Sequence, residues 1–64
     1  MMGYNMIKSG KGLYLYQYVN SDGETEYYEL YKGESPGFAV SQCMYWTEEE
    51  ALQDFDARVK EVQR

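Results

Sequence analysis

The sequence contains no histidine, one cysteine, one proline, and no apolar run near the roughly 20 residues of a membrane-spanning helix. Without histidine there is no imidazole ligand for zinc and no imidazole base to activate a nucleophile. A lone cysteine, Cys43, cannot form a disulfide within the chain, which excludes a disulfide-stapled secreted scaffold. These absences predict a protein that is not an enzyme and that uses no metal and no cofactor.

Two remaining groups of residues are weak candidates for catalysis. Cys43 lies inside a predicted strand with no base to activate it, so it is interpreted as a small packing residue. The carboxylate pairs Glu24/Glu26 and Glu48/Glu49 lie on a strand edge and at a helix start, where no cleft is indicated. Neither group therefore supports an enzymatic function.

Basic residues are scarce, with six Lys and Arg against eleven Asp and Glu and a formal net charge of −5. This charge argues against direct binding of nucleic acid, which requires a basic surface. The first eight residues lack the apolar core and cleavage site of a signal peptide. We therefore expect a cytoplasmic protein that does not associate with membranes.

The negative charge is concentrated in the middle of the chain. Residues 20–56 carry ten acidic side chains and one basic one, Lys32, for a net charge of −9, while both flanks are basic. Acidity of this kind can simply maintain solubility, or it can form a surface that attracts a basic partner. Rows of carboxylates can present charge as a phosphate backbone does.

Alternating residues predict a β-hairpin. Residues 12–20 place leucines on one face and tyrosines on the other, and residues 25–32 form the return strand. A two-residue turn at Asp22-Gly23 would place Leu15 opposite Leu30. A three-residue turn with Gly23 in the left-handed region would shift the register by one residue and exchange the faces. We favour the first arrangement because it pairs leucine with leucine.

A third strand and a helix follow the hairpin. Residues 38–46 form the strand, and Trp46 is expected in the core. Thr47 and Glu50 make a capping box, after which an apolar stripe predicts a helix. That stripe comprises Ala51, Leu52, Phe55, Val59 and Val62. The predicted fold is α+β: a loose lead-in over residues 1–10, a three-stranded antiparallel meander over 12–46, and an amphipathic helix over 47–63 packed on one face (β-β-β-α).

Tyrosine is abundant, with eight residues in 64, and a sheet covered by one helix leaves one face open. Tyrosine pairs across strands and is also enriched at protein interfaces. The tyrosines of the first two predicted strands would form a face together with Glu24, Glu26 and Glu29, and more acids lie on the helix. The candidate partner-binding residues are Tyr14, Tyr16, Tyr18, Glu24, Glu26, Tyr27, Glu29, Tyr31, Glu48, Glu49, Asp54 and Asp56.

The stretch from Asp22 to Ser35, followed by Phe38 and Val40, resembles part of the uracil-DNA glycosylase inhibitors of Bacillus podoviruses. That resemblance implies a dimeric DNA mimic that occupies a host repair enzyme, with Phe38 near the hydrophobic residue that the enzyme captures. The β-β-β-α order resembles the arm-site DNA-binding domains of phage-type integrases, which read DNA with a basic sheet face. The composition is also similar to that of small, acidic anti-CRISPR proteins encoded by phages.

Two functional hypotheses follow. The first is a small acidic inhibitor, encoded by a phage or mobile element, that blocks a basic, DNA-handling host protein by DNA mimicry. The second is an accessory or homodimerisation domain in which acidity serves only solubility and the open sheet face or third-strand edge pairs with another chain. Direct nucleic-acid binding through tyrosine stacking is the least favoured alternative.

Overall fold

The computed structural model describes residues 3–62 and contains a four-stranded antiparallel sheet and one helix. The strands are β1 (Gly3–Gly10), β2 (Leu13–Val19), β3 (Thr25–Gly33) and β4 (Ala39–Tyr45); a 3₁₀ turn (Pro36–Phe38) precedes β4, and the helix is α1 (Glu48–Val62). The strand order β1-β2-β3-β4 is a meander. The predicted α+β class with an antiparallel sheet and a C-terminal helix is confirmed. The predicted strand number is wrong, because there are four strands rather than three.

The additional strand is β1, which occupies most of the segment predicted to be a loose lead-in. It pairs with β2 through a two-residue turn at Lys11 and Gly12, whose φ angles are 53° and 76°. Two positive φ angles are the requirement of a type I′ turn, the turn that matches the twist of paired strands. A bulge between Met6 and Lys8 interrupts the alternation of β1, which hides its strand pattern in the sequence. Residues 1, 2, 63 and 64 lie outside the described residues, and with them the last residue of the helix predicted over 47–63.

The β2–β3 hairpin has the predicted register but not the predicted turn. Leu15 lies opposite Leu30, as expected. The turn contains three residues: the Asn20 N–H donates to the Glu24 carbonyl at 2.9 Å, and Gly23 has a φ of 84°. A bulge after Tyr18 accommodates one extra residue on β3 and thereby restores the leucine pairing. The Asn20 Oδ1 atom holds the turn by accepting hydrogen bonds from the backbone N–H groups of residues 22 and 24.

The helix begins where the capping residues place it. The Thr47 hydroxyl accepts the Glu50 backbone N–H at 3.2 Å and donates to the Glu50 carboxylate at 3.0 Å. From the predicted apolar stripe, Ala51 and Phe55 are buried, and Leu52 and Val59 pack against the core. Val62 is 48% exposed, so the buried stripe ends one turn earlier than predicted.

The core lies between α1 and one face of the sheet. Its members share exposures of 7% or less: Leu13, Leu15, Tyr28, Leu30, Tyr45, Ala51 and Phe55. The expectation that Trp46 belongs to the core is wrong, because its side chain is 69% exposed. Tyr45 fills that part of the core instead, opposite Tyr28. Because neighbouring residues of an extended chain point to opposite sides, the burial of Tyr45 leaves Trp46 pointing outward.

Candidate protein-binding face

The sheet face opposite α1 carries six tyrosines and has no helix over it. This tyrosine face consists of Tyr4, Tyr14, Tyr16, Tyr18, Tyr27 and Tyr31. The tyrosines of β2 and β3 share this face because alternate residues of these strands point away from the leucine core. The structure therefore places all five tyrosines of the candidate binding set on one surface, together with Tyr4 from β1.

The tyrosine rings pack against one another across three strands. Tyr4 contacts Tyr16, Tyr18 and Tyr27, with ring centroids 6.4, 5.0 and 6.4 Å away. Tyr18 and Tyr27 stack at 5.1 Å with an interplanar angle of 24°. Edge-to-face and offset contacts of this kind are the favourable arrangements of aromatic pairs. The face is consequently an ordered layer of rings, most of them half-buried by their neighbours.

Hydroxyl groups link this layer together. The hydroxyl oxygens of Tyr4 and Tyr27 are 2.7 Å apart, and this hydrogen bond is the main reason that the pKa of Tyr27 lies above its usual range. The Tyr31 hydroxyl donates to one oxygen of Glu29 at 3.1 Å, and the Ser41 hydroxyl donates to the other at 2.6 Å. Burial, followed by the Glu29 contact, raises the pKa of Tyr31. Glu29 is thus a positioned carboxylate on an otherwise uncharged ring surface.

A small cavity opens on the tyrosine face. It has a volume of about 120 Å³ and is lined by Tyr4, Tyr16, Tyr31 and Pro36. Pro36 belongs to the 3₁₀ turn, which packs closely on the end of β3. A Cβ atom at Gly33 would lie 2.3 Å from the Phe38 carbonyl oxygen, so this approach requires glycine. Gly33 therefore allows the turn to supply the fourth wall of the cavity.

Most of the candidate acids lie at one end of the sheet rather than among the tyrosines. The β2–β3 turn and the start of α1 meet at this end, because Tyr45, just before the helix, pairs with Tyr28 near the start of β3. We call this surface the acidic end; its exposed members are Asp22, Glu24, Glu26, Glu48, Glu49 and Glu50. The carboxylates therefore form a cap beside the tyrosine face and do not run along it in rows.

The last two candidate acids, Asp54 and Asp56, lie on α1, which packs on the other face of the sheet. Asp54 accepts hydrogen bonds from the Tyr45 hydroxyl and from Arg58 Nε, the latter at 2.8 Å. The Tyr45 hydroxyl is the main reason that the pKa of Asp54 lies below its usual range. Asp56 pairs with Lys8 Nζ at 2.9 Å. Both carboxylates already have basic partners within the chain.

Sequence reasoning did not include Tyr4 or Pro36 in the candidate site. Tyr4 was assigned to the lead-in, although Tyr4 and Met6 alternate and Gly10-Lys11-Gly12 is compatible with a tight turn. Pro36-Gly37 is a dipeptide typical of a chain break between strands, which by itself indicates no role in a site. The position of Pro36 over the sheet depends on the packing against Gly33, for which the sequence offers no direct signal.

The described residues carry few other features of a functional centre. Within residues 3–62, no three His, Cys, Asp or Glu side chains are grouped closely enough to hold a metal ion. In the same range, α1 is too short and too polar to cross a membrane. Cys43 is half-buried beside the core. The tyrosine face with its cavity is the most developed candidate site among the described residues.

Comparisons with known proteins do not assign this site to a family. No family model, no curated protein and no solved structure matches the chain.

Proposed function

We propose that this protein is a small, non-catalytic inhibitor that binds a basic, DNA-handling protein through its tyrosine face. The observation that supports this most directly is an ordered aromatic surface on a sheet face without a helix. Tyrosines held by their neighbours lose little conformational entropy on binding, and they offer both apolar area and hydroxyl groups. Such a surface suits a protein partner better than a small substrate.

The acidic end supports the choice of a basic partner. Its six exposed carboxylates lie beside the tyrosine face and create a negative field at one end of the molecule. Such a field accelerates the approach of a basic protein and is screened by salt. In a cleft that normally holds DNA, these carboxylates would occupy the place of phosphates and the tyrosines would make the close contacts. This is the form of DNA mimicry that we propose, for a host protein met by a phage or mobile-element product.

The test is capture of partners from a bacterial lysate on the immobilised chain, with two variants. Tyr18→Arg alters the centre of the tyrosine face, and Gln53→Arg makes the same charge change on the exposed side of α1. We expect a DNA-binding protein to be captured at low salt by the wild type and by Gln53→Arg but not by Tyr18→Arg. Double-stranded DNA should compete with the capture. If no captured protein meets both conditions, the proposal is wrong.

A second candidate function is homodimerisation. Residues 35–47 contain no charged side chain, and within them Phe38, Val40 and Trp46 are at least 68% exposed. Uncharged, apolar edges favour pairing with another chain. Analytical ultracentrifugation separates the two functions: a tight dimer that is insensitive to salt, and that Val40→Lys in β4 dissociates while Tyr18→Arg does not, favours homodimerisation through this edge over the binding of a basic partner.

A further inference from the structure

We infer that the cavity on the tyrosine face is a cage for a single cationic side chain, an arginine or a lysine, of the bound partner. This inference rests on the proposed function, because it names the group that the tyrosine face would recognise. It also goes further, since it assigns a defined pocket and a ligand chemistry to four residues.

The shape of the cavity supports a cage. The rings of Tyr4 and Tyr16 meet at 85° and those of Tyr16 and Tyr31 at 84°, so successive walls are nearly perpendicular. Pro36 adds a further apolar wall, and the volume of this open cavity is about 120 Å³. The cavity is thus a recess in which one cationic head group can lie against the rings.

The electrostatics of the cavity favour a positive charge. The face of an aromatic ring attracts cations, and the attraction is stronger where water is partly excluded. Glu29 lies next to the cavity, because it is opposite Tyr16 across the β2–β3 pair and hydrogen bonded to Tyr31. The hydrogen bonds from Tyr31 and Ser41 hold the carboxylate in place without neutralising its charge. A cation in the cage would therefore lie against the rings with one carboxylate nearby.

Arginine fits this arrangement particularly well. Its guanidinium group stacks on aromatic rings and also forms charge-assisted hydrogen bonds with a carboxylate. The Lys8 ammonium group lies 5.4 Å from the centroid of the Phe55 ring, on the other face of the sheet. Within residues 3–62, no recorded ion pair engages Glu29.

The experiment uses short peptides as probes and needs no natural partner. The wild-type protein is titrated with acetyl-Gly-Arg-Gly-amide, with its lysine counterpart, and with the neutral citrulline analogue, while the aromatic NMR signals are followed. We expect the arginine peptide to shift the ring signals of Tyr4, Tyr16 and Tyr31 in a saturable manner and the citrulline peptide to leave them unchanged. The lysine peptide distinguishes recognition of guanidinium from recognition of any cation.

Matched variants then test the walls of the cage. Tyr16→Leu removes one ring and should weaken binding of the arginine peptide by about three- to tenfold, whereas Tyr16→Phe keeps the ring and should remain within about twofold. Tyr14→Leu is the control, because Tyr14 lies on the same strand and face but does not line the cavity. Glu29→Gln, which is nearly isosteric, removes the charge and should also weaken binding, and it serves if Tyr16→Leu does not fold.

Each outcome decides the inference independently of the proposed function. Equal binding of arginine and citrulline peptides, or shifts confined to the acidic end, would show that the cavity is not a cation cage. Peptide binding at the cage without any lysate partner would leave the cage standing and refute the proposed inhibitor. Capture of a DNA-binding protein without peptide binding would support the proposed inhibitor and refute the cation cage.

Discussion

The two faces of the sheet are built in different ways. On the face covered by α1, aliphatic side chains are removed from water, and Leu15 and Leu30 are 0% exposed. On the tyrosine face, rings pack on rings and stay partly exposed, with Tyr4 the most exposed at 50%. The first face holds the helix to the sheet, while the second keeps a structured surface in contact with solvent.

This difference explains how so short a chain can leave a whole sheet face uncovered. A domain of this size buries only about 60% of the surface of its unfolded chain, less than a larger domain does, so stability depends on a few fully buried residues. Cross-strand tyrosine pairs add stability without requiring a second layer. The tyrosine face can therefore contribute to folding and still remain accessible.

The largest effect is expected on the covered face. Leu30→Ala should lower the free energy of unfolding by about 2–5 kcal/mol, because it leaves a cavity in the centre of the core. The total stability of a 64-residue domain is roughly 3–10 kcal/mol, so this single change removes a large part of it. Urea unfolding followed by circular dichroism measures the change. Met44→Ala, at a position 48% exposed, is the control and should change stability by less than about 0.5 kcal/mol.

On the tyrosine face, a smaller and pairwise effect is expected. A double-mutant cycle of Tyr18→Leu and Tyr27→Leu should give a coupling energy of about 0.5–1.5 kcal/mol, because the two rings stack at 5.1 Å. The same cycle for Tyr14 and Tyr27, which are not register partners, should give a coupling near zero. Equal coupling in both cycles would mean that the rings act through general hydrophobicity rather than through defined contacts.

The contact between α1 and β4 should depend on pH. The pKa of Asp54 in the folded chain lies below its ordinary value of 3.8, so its stabilising effect is complete above that value and is lost as the pH falls through the lower, folded value. Asp54→Asn should therefore cost about 1 kcal/mol at pH 7 and progressively less below about pH 4. Thermal unfolding between pH 2 and pH 7 measures this. Glu61→Gln, an exposed change on the same helix, should leave the acid limb unchanged.

The smallest effect is expected for the ion pair between β1 and the helix. The side chains of Lys8 and Asp56 are 42% and 55% exposed, and Asp56→Asn should cost about 0.2–0.5 kcal/mol at low salt. This difference from the wild type should disappear in 1 M salt, where charges are screened within about 3 Å. A cost that persists in high salt would indicate that Asp56 acts through packing.

Much of the fold follows from local patterns. The leucine–tyrosine alternation of β2 and β3 and the capping box of α1 are short-range signals, and the structure agrees with both. The strand β1 could not be predicted in the same way, because its bulge breaks the alternation after Met6. The three-residue turn and the bulge after Tyr18 could not be predicted either. The longer turn shifts the register by one residue and the bulge shifts it back, so the leucine pairing is the same as with a two-residue turn.

The site was predictable to a similar extent. Alternation places the tyrosines of β2 and β3 together, but it cannot show that Tyr4 joins them from β1 or that Pro36 closes the cavity. Whether the acids of α1 can join the tyrosine face depends on which face of the sheet the helix covers. The sequence does not indicate that Asp54 pairs with Arg58, or that Asp56 pairs with Lys8, which is 48 residues away from it in the chain.

The meander order also determines how the chain reaches its folded state. Every strand pairs with its neighbour in sequence, so the sheet can form by closing three short loops in turn. Folding is then expected to be fast, on a timescale of about milliseconds. The uncharged edge strand β4 would be exposed as a separate segment only briefly, which limits the time in which newly made chains can aggregate through it.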